Sequence, residues 1–221
     1  MNVFFGDSLL ISLALFNSAH IYFDIIVTHY PYLFSNYKNS KIIHTYDSKT
    51  TPTFLKQYTI KYNVVCCFNI LPPGIYNLPT LGTVNIHYSL LPLYKGPDPI
   101  ICALYNFDNI TGISFVVINN NKIDDGPIVQ QEVVSISLLD RLTMYTLIFK
   151  CNSVAKTMLK KLMTTSTLTI YDKKITNDVY VNMYECQKMH IKYYLVLFIF
   201  YLLFFKSSIS IYNIIHNYIC I

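Results

Sequence analysis

Apolar residues along the first 135 positions come in short bursts separated by Gly, Pro, Asn and Ser. The runs Asn2–Phe5, Ile21–Thr28, Val64–Phe68, Thr83–Ile86, Gly112–Ile118 and Ile128–Val134 are rich in β-branched and aromatic residues and read as strands. Helical signals alternate with them. Asp7 or Ser8 is placed to cap a helix reaching about Ser18. Thr51-Pro52 opens a short helix to about Lys61, and Asp98 followed by Pro99 opens another to about Asn106. Leu138–Met163 predicts a long helix or a helix pair, whereas Tyr30–Thr51 is polar, lacks a sustained period and reads as a loop. Strands apolar on both faces and interleaved with helices predict an α/β fold around an open, mostly parallel twisted sheet. In such sheets ligands bind beyond the carboxyl ends of the strands, so the loops after Ile86 and Ile118 are where chemistry is expected.

Composition narrows this picture. With 221 residues, the chain is long enough to bury a core without staples. At 53% hydrophobic and 13% charged residues, against about 25% charged in an average domain, most of the chain is excluded from the disordered class. Lysine almost replaces arginine, Arg141 standing alone, and tyrosine and asparagine abound. That is the mark of an A/T-biased genome, which weakens apolar content as a membrane signal. The six cysteines form no CxxC and no zinc-ligand spacing with histidine, so no metal site is expected. Leu9–Phe16 followed by Asn17-Ser18-Ala19 has the outline of a secretory signal, but no basic segment precedes it and Asp7 interrupts it. The strand–helix–strand reading is therefore preferred.

Charge is uneven. Residues 1–149 hold eight Lys/Arg and nine Asp/Glu, whereas residues 150–192 hold eight lysines against Asp172, Asp178 and Glu185. Such a stretch suits either a solvated helix face or an anionic partner such as RNA. Tyr193–Phe205 is a thirteen-residue apolar run. As a helix it would reach about 20 Å, short of a bilayer core of about 30 Å, which leaves weak membrane contact or packing on the protein as its readings.

Three polar side chains stand out. Asn85 and His87, two apart on one strand, share a face, and Asp124 lies in a loop before Gly126-Pro127. An amide donor, an imidazole and a carboxylate suit acyl transfer through a tetrahedral intermediate. No GxSxG elbow argues for a covalent adduct. On spacing alone the signal is weak, because a strand-end histidine is more often a hydrogen-bonded structural residue and an asparagine near a turn is usually a cap.

The surrounding residues add a resemblance. Gly82-Thr83-Val84-Asn85-Ile86-His87-Tyr88-Ser89-Leu90-Leu91-Pro92, then Tyr94-Lys95-Gly96 and Pro99-Ile100, resembles the signature of the folate-dependent formyltransferases. Thr111-Gly112 and Ile123-Asp124-Asp125-Gly126-Pro127 follow in that family's order. Gly96-Pro97-Asp98-Pro99-Ile100 resembles the branch acting on methionyl-tRNA, and Gly6-Asp7-Ser8 stands where the purine-pathway branch carries a Gly-Ser-Asn phosphate loop. The resemblance covers residues 1–165, implying a catalytic domain with a Rossmann-like sheet and helices on both faces. It leaves 166–221 as a lysine-containing linker and apolar tail without that branch's C-terminal barrel.

It further implies 10-formyltetrahydrofolate as donor and charged initiator tRNA as acceptor. Asn85 and His87 would stabilise an oxyanion, and Asp124 would position His87 and a water. Ile70, Leu71, Pro72, Ser89, Leu90, Leu91 and Pro92 would hold the folate. The chain would act as a monomer, in the cytoplasm of a bacterium or an organelle of a eukaryote. Another amine acceptor (an amino-sugar nucleotide or a ribonucleotide) and a non-catalytic folate- or RNA-binding remnant are the alternatives.

Overall fold

The computed structural model describes residues 1–170 together with 188, 189, 192 and 195. Apart from 166–170 and those four positions, the linker and tail expected over 166–221, including the apolar run 193–205, lie outside the described residues.

The strands are β1 (Asn2–Gly6), β2 (Ile25–Thr28), β3 (Ile42–Thr45), β4 (Tyr62–Cys66), β5 (Gly82–His87), β6 (Ile110–Val117) and β7 (Ile128–Ser135). The helices are α1 (Ala14–Ala19), α2 (Thr51–Leu55), α3 (Pro73–Tyr76), α4 (Pro99–Tyr105), α5 (Leu138–Leu142) and α6 (Met144–Thr164). The strands form one sheet in the order β3-β2-β1-β4-β5-β6-β7. The first five run parallel, while β6 pairs antiparallel with both β5 and β7. The predicted open, mostly parallel sheet is what forms.

Alternation along the strands splits the core between two faces. Phe4, Val64 and Val84 pack with α1, α4 and α6, while Val3, Phe5 and Val65 pack with Leu55 of α2 and Ile75 of α3. β1, β2 and β4 bury nearly every side chain, as parallel strands covered on both faces must. Phe4, Phe16 and Phe23 lie with ring centroids 5.1–5.9 Å apart at the centre of the first face. The N-terminal segment thus belongs to the core, as the strand–helix–strand reading required.

Several boundaries differ from expectation. Ile42–Thr45, inside the expected loop, is the edge strand β3, half exposed and paired on one side only. The second strand begins at Ile25 rather than Ile21, because His20–Tyr22 forms a 3-10 turn. The helix opened by Thr51-Pro52 ends at Leu55 rather than near Lys61. Asp98 precedes α4, but its backbone is left-handed (φ 49°) and its side chain makes no cap hydrogen bond. Ser8 does cap the first helical turn, accepting from the Ile11 amide.

Leu138–Met163, expected as a long helix or a helix pair, is a pair, α5 and α6. Ser137 and Asp140 make a reciprocal capping box at α5. Asp140 is fully enclosed, and although burial pushes its carboxyl up, hydrogen bonds from Lys150, Thr146 and Ser137 hold it well below the usual carboxylate range. Along α6, Leu147, Cys151, Ala155, Met158 and Leu162 recur every three or four residues and face the sheet. Among the described residues no helix is long and apolar enough to cross a membrane.

Candidate active site

A cavity of about 660 Å³ opens at the carboxyl ends of β1, β4 and β5, where Asp7, Cys67 and Tyr88 line it. The sheet order reverses between β1 and β4, so the cavity occupies the crevice that open α/β sheets use for ligands. Its far wall is the 118–126 segment that follows β6. A volume of this size suits a small-molecule site, typically about 300–1,000 Å³.

Asn85, His87 and Asp124 all line this cavity and meet there. The Asn85 side-chain amide donates to Asp124 Oδ1 at 2.9 Å. The Gly96 amide donates to Asp124 Oδ2, also at 2.9 Å, and His87 Nδ1 lies 3.3 Å from that oxygen. The His87 and Asp124 side chains are 6% and 8% exposed, dry enough for these contacts to be strong. On the other side of the ring, His87 Nε2 lies 2.8 Å from the Tyr94 carbonyl oxygen. A carbonyl only accepts, so Nε2 carries the proton of that contact and Nδ1 faces Asp124.

Local backbone explains how sequence-distant residues converge. Tyr94 and Asp124 adopt left-handed conformations (φ 56° and 50°). The first turns its carbonyl onto His87; the second lies in the loop folded back over β5. A Cβ on Gly126 would sit 1.8 Å from the Val117 carbonyl oxygen, so only glycine lets that loop close. Beside the cluster, Lys95 pairs with Asp125 at 2.6 Å, and its hydrogen bond lowers the Asp125 carboxyl. Tyr94 hydrogen-bonds Asp108 through its hydroxyl, which burial and that carboxylate push up to about 12.

The residues expected to hold the folate divide. Ile70 and Leu71 line the cavity, whereas Pro72, Ser89, Leu90, Leu91 and Pro92 lie outside its lining. Ser89–Pro92 instead turns back against β6 and β7. The Ser89 hydroxyl donates to the Leu93 carbonyl, the Leu91 amide to the Ser114 hydroxyl, and Gln131 to the Leu91 carbonyl. Leu90 sits against Gly112, where a Cβ would approach it to 2.3 Å. That segment fixes the strand end carrying His87.

Several cavity residues were not named as site residues from the sequence: Asp7, Cys67, Tyr88, Met144 and Ile148. Of these, Asp7 had a signal, being a charged residue directly after the first strand. Among the described residues no group of three metal-ligating side chains gathers.

A mostly parallel sheet with an amide–carboxylate–imidazole cluster in its switch-point crevice defines an open-sheet α/β domain with a small-molecule site. Residues 35–161, more than half of the chain, match the formyl transferase family, and the chain belongs to it. It is 40% identical over 86 residues to the methionyl-tRNA formyltransferase of Azobacteroides pseudotrichonymphae, covering 39% of this chain and 26% of that protein. It is 51% identical over 65 residues to that of Roseiflexus castenholzii, covering 29% and 20%. The chain thus matches about a quarter of the length of these curated relatives.

Among solved structures, glycinamide ribonucleotide transformylase 1 from Symbiobacterium toebii superposes with a TM-score of 0.62 at 15% identity, covering 73% of this chain and 84% of that one. A sugar N-formyltransferase from Shewanella sp. gives 0.60 at 19%, covering 84% and 78%. At these identities the likeness is one of fold.

Proposed function

We propose that this chain transfers a formyl group from 10-formyltetrahydrofolate to the amine of methionyl-tRNA. The observation carrying the proposal is the convergence of Asn85, His87 and Asp124 in the dry crevice, in a member of the formyl transferase family. Similarity to methionyl-tRNA formyltransferases over the matched segment favours this acceptor over others.

The amine nitrogen attacks the formyl carbon, giving a tetrahedral centre whose oxygen bears negative charge. The second amide hydrogen of Asn85 is the donor for that oxygen, and His87, with Nε2 on the Tyr94 carbonyl and Nδ1 facing Asp124, sets its ring beside it. Asp124 holds the Asn85 amide at 2.9 Å, more closely than it approaches His87, so it orients the amide as well as the ring. Collapse breaks the bond from the formyl carbon to N10 of the folate. The proton lost by the amine passes through the His87–Asp124 pair, or a water beside it, to the departing nitrogen. No covalent enzyme adduct is required. The apolar wall, including Ile70 and Leu71, is the surface for the folate ring system. The chain acts as a monomer in this reading, in the bacterial cytoplasm or in a eukaryotic organelle.

An acceptor competition tests the proposal. Labelled formyl donor is supplied with methionyl-tRNA, glycinamide ribonucleotide and an amino-sugar nucleotide together. Label on the methionyl amine supports the reading; label on another amine replaces the acceptor, and no label on any of them overturns it.

A further inference from the structure

The turn after β1 lies at the sheet's switch point and lines the same cavity. In open α/β sheets this is the position where backbone amides ordinarily receive a phosphate. Here a carboxylate occupies it. Asp7 Oδ1 accepts from the Thr28 hydroxyl and the His29 amide, both at 2.8 Å, and Asp7 Oδ2 lies 2.6 Å from His29 Nδ1. The His29 ring is held in turn against Phe68 and Tyr46, with centroids 5.1 and 4.9 Å away. The carboxylate is thus fixed from three sides and cannot swing away from an arriving anion.

Three amides of this turn are also committed. Asp7 N donates to the Cys67 carbonyl, Ser8 N to the Ser12 hydroxyl and Ile11 N to the Ser8 hydroxyl. Ser12 is anchored to the Cys66 carbonyl at 2.9 Å and is fully buried. A phosphate would therefore meet a fixed carboxylate beside a turn in which the amides of residues 7, 8 and 11 are already engaged. Asp98 and Asp124 line the same cavity, as does Asp125, which is paired with Lys95 and Lys122.

We propose that Asp7, braced by Thr28 and His29, is an acceptor-selectivity residue that bars phosphate esters from the crevice beside β1. The acceptor must present an uncharged or cationic group there. An aminoacyl ester meets that demand; an amine carried on a ribose phosphate does not. This rests on the formyl-transfer reading and names the acceptor class that the same cavity admits.

Equilibrium dialysis of the full chain against ribose 5-phosphate tests it without requiring turnover. Wild type should show no retention at millimolar ligand. Asp7→Asn should bind about tenfold more tightly or better, the effect expected from removing one charge at close range in a partly dry site. Asp7→Ser provides a second, smaller replacement, and circular dichroism confirms that each variant is folded. Millimolar or tighter binding by wild type overturns the proposal, as do folded variants that bind no better than wild type. If dialysis behaves as expected but no amine is formylated, the selectivity residue stands and the transfer reading falls. Transfer to methionyl-tRNA with phosphate binding unaffected by Asp7 does the reverse, removing the selectivity residue and leaving the transfer reading in place.

Discussion

Two aspartate–histidine pairs line the carboxyl edge of one sheet, and they differ in what the aspartate is asked to hold. In the His87–Asp124 pair the side chains are 6% and 8% exposed, the separation is 3.3 Å, and Asp124 divides its oxygens among Asn85, Gly96 and His87. In the His29–Asp7 pair they are 31% and 16% exposed and the separation is 2.6 Å; Asp7 is served by two adjacent residues at the end of β2. The shorter contact belongs to the wetter pair. Contact length therefore does not mark the proposed reacting site. What marks it is a buried carboxylate that organises two further donors around an open cavity.

Breaking the buried pair should have the largest effect. His87→Ala and Asn85→Ala are each expected to lower kcat/KM for formyl transfer by about 10²-fold or more, from the usual cost of removing an acid–base or oxyanion group. Steady-state kinetics on variants with unchanged circular dichroism would show it.

Next comes the loop that brings Asp124 to the pair. Gly126→Ala places a Cβ 1.8 Å from the Val117 carbonyl oxygen, and the loop must move. A loss of about 2 kcal/mol is expected, or about 4–8 °C in Tm by calorimetry, with activity falling alongside.

A third change uses a buried carboxylate without a reacting role. Asp140 has a folded-state pKa depressed by Lys150 and its hydroxyl neighbours, so its stabilisation is present above the unfolded pKa of about 4 and is lost as pH falls through the folded value. Lys150 is 42% exposed, so Lys150→Met should cost only about 1–2 kcal/mol at pH 7. The gap from wild type should shrink in urea melts carried out progressively below about pH 4. The smallest effect belongs to the wetter pair: His29→Gln should lower stability by about 0.5–1 kcal/mol, as loosening a partly exposed ion pair does. Urea melts at neutral pH would measure it.

The two regions also differ in how far the sequence disclosed them. β5 and α4 were legible because an apolar strand run and a proline at the first helical position mark them, and the apolar period over Leu138–Met163 marked helix there without separating α5 from α6. β3 was not, because Ile42–Thr45 is four residues long, half exposed and paired on one side. Its partner β2 supplies what its own pattern lacks.

Within the site, strand periodicity put Asn85 and His87 on one face, and the order of motifs pointed to Asp124. The Tyr94 carbonyl that fixes the His87 tautomer was invisible, since it depends on a left-handed backbone at a tyrosine. Ser89–Pro92 was legible as a conspicuous segment but not in its placement. Its contacts come from Ser114 and Gln131, on strands that lie further along the chain.

If the Asn85–Asp124–His87 cluster carries formyl transfer, Asp124 is the residue whose charge holds the other two in place. The decisive experiment is single-turnover transfer from 10-formyltetrahydrofolate to methionyl-tRNA, comparing wild type with Asp124→Asn. Wild type should transfer, and the variant's rate constant should be at least about 10²-fold lower with donor binding retained. A wild-type rate matched by Asp124→Asn would contradict this assignment.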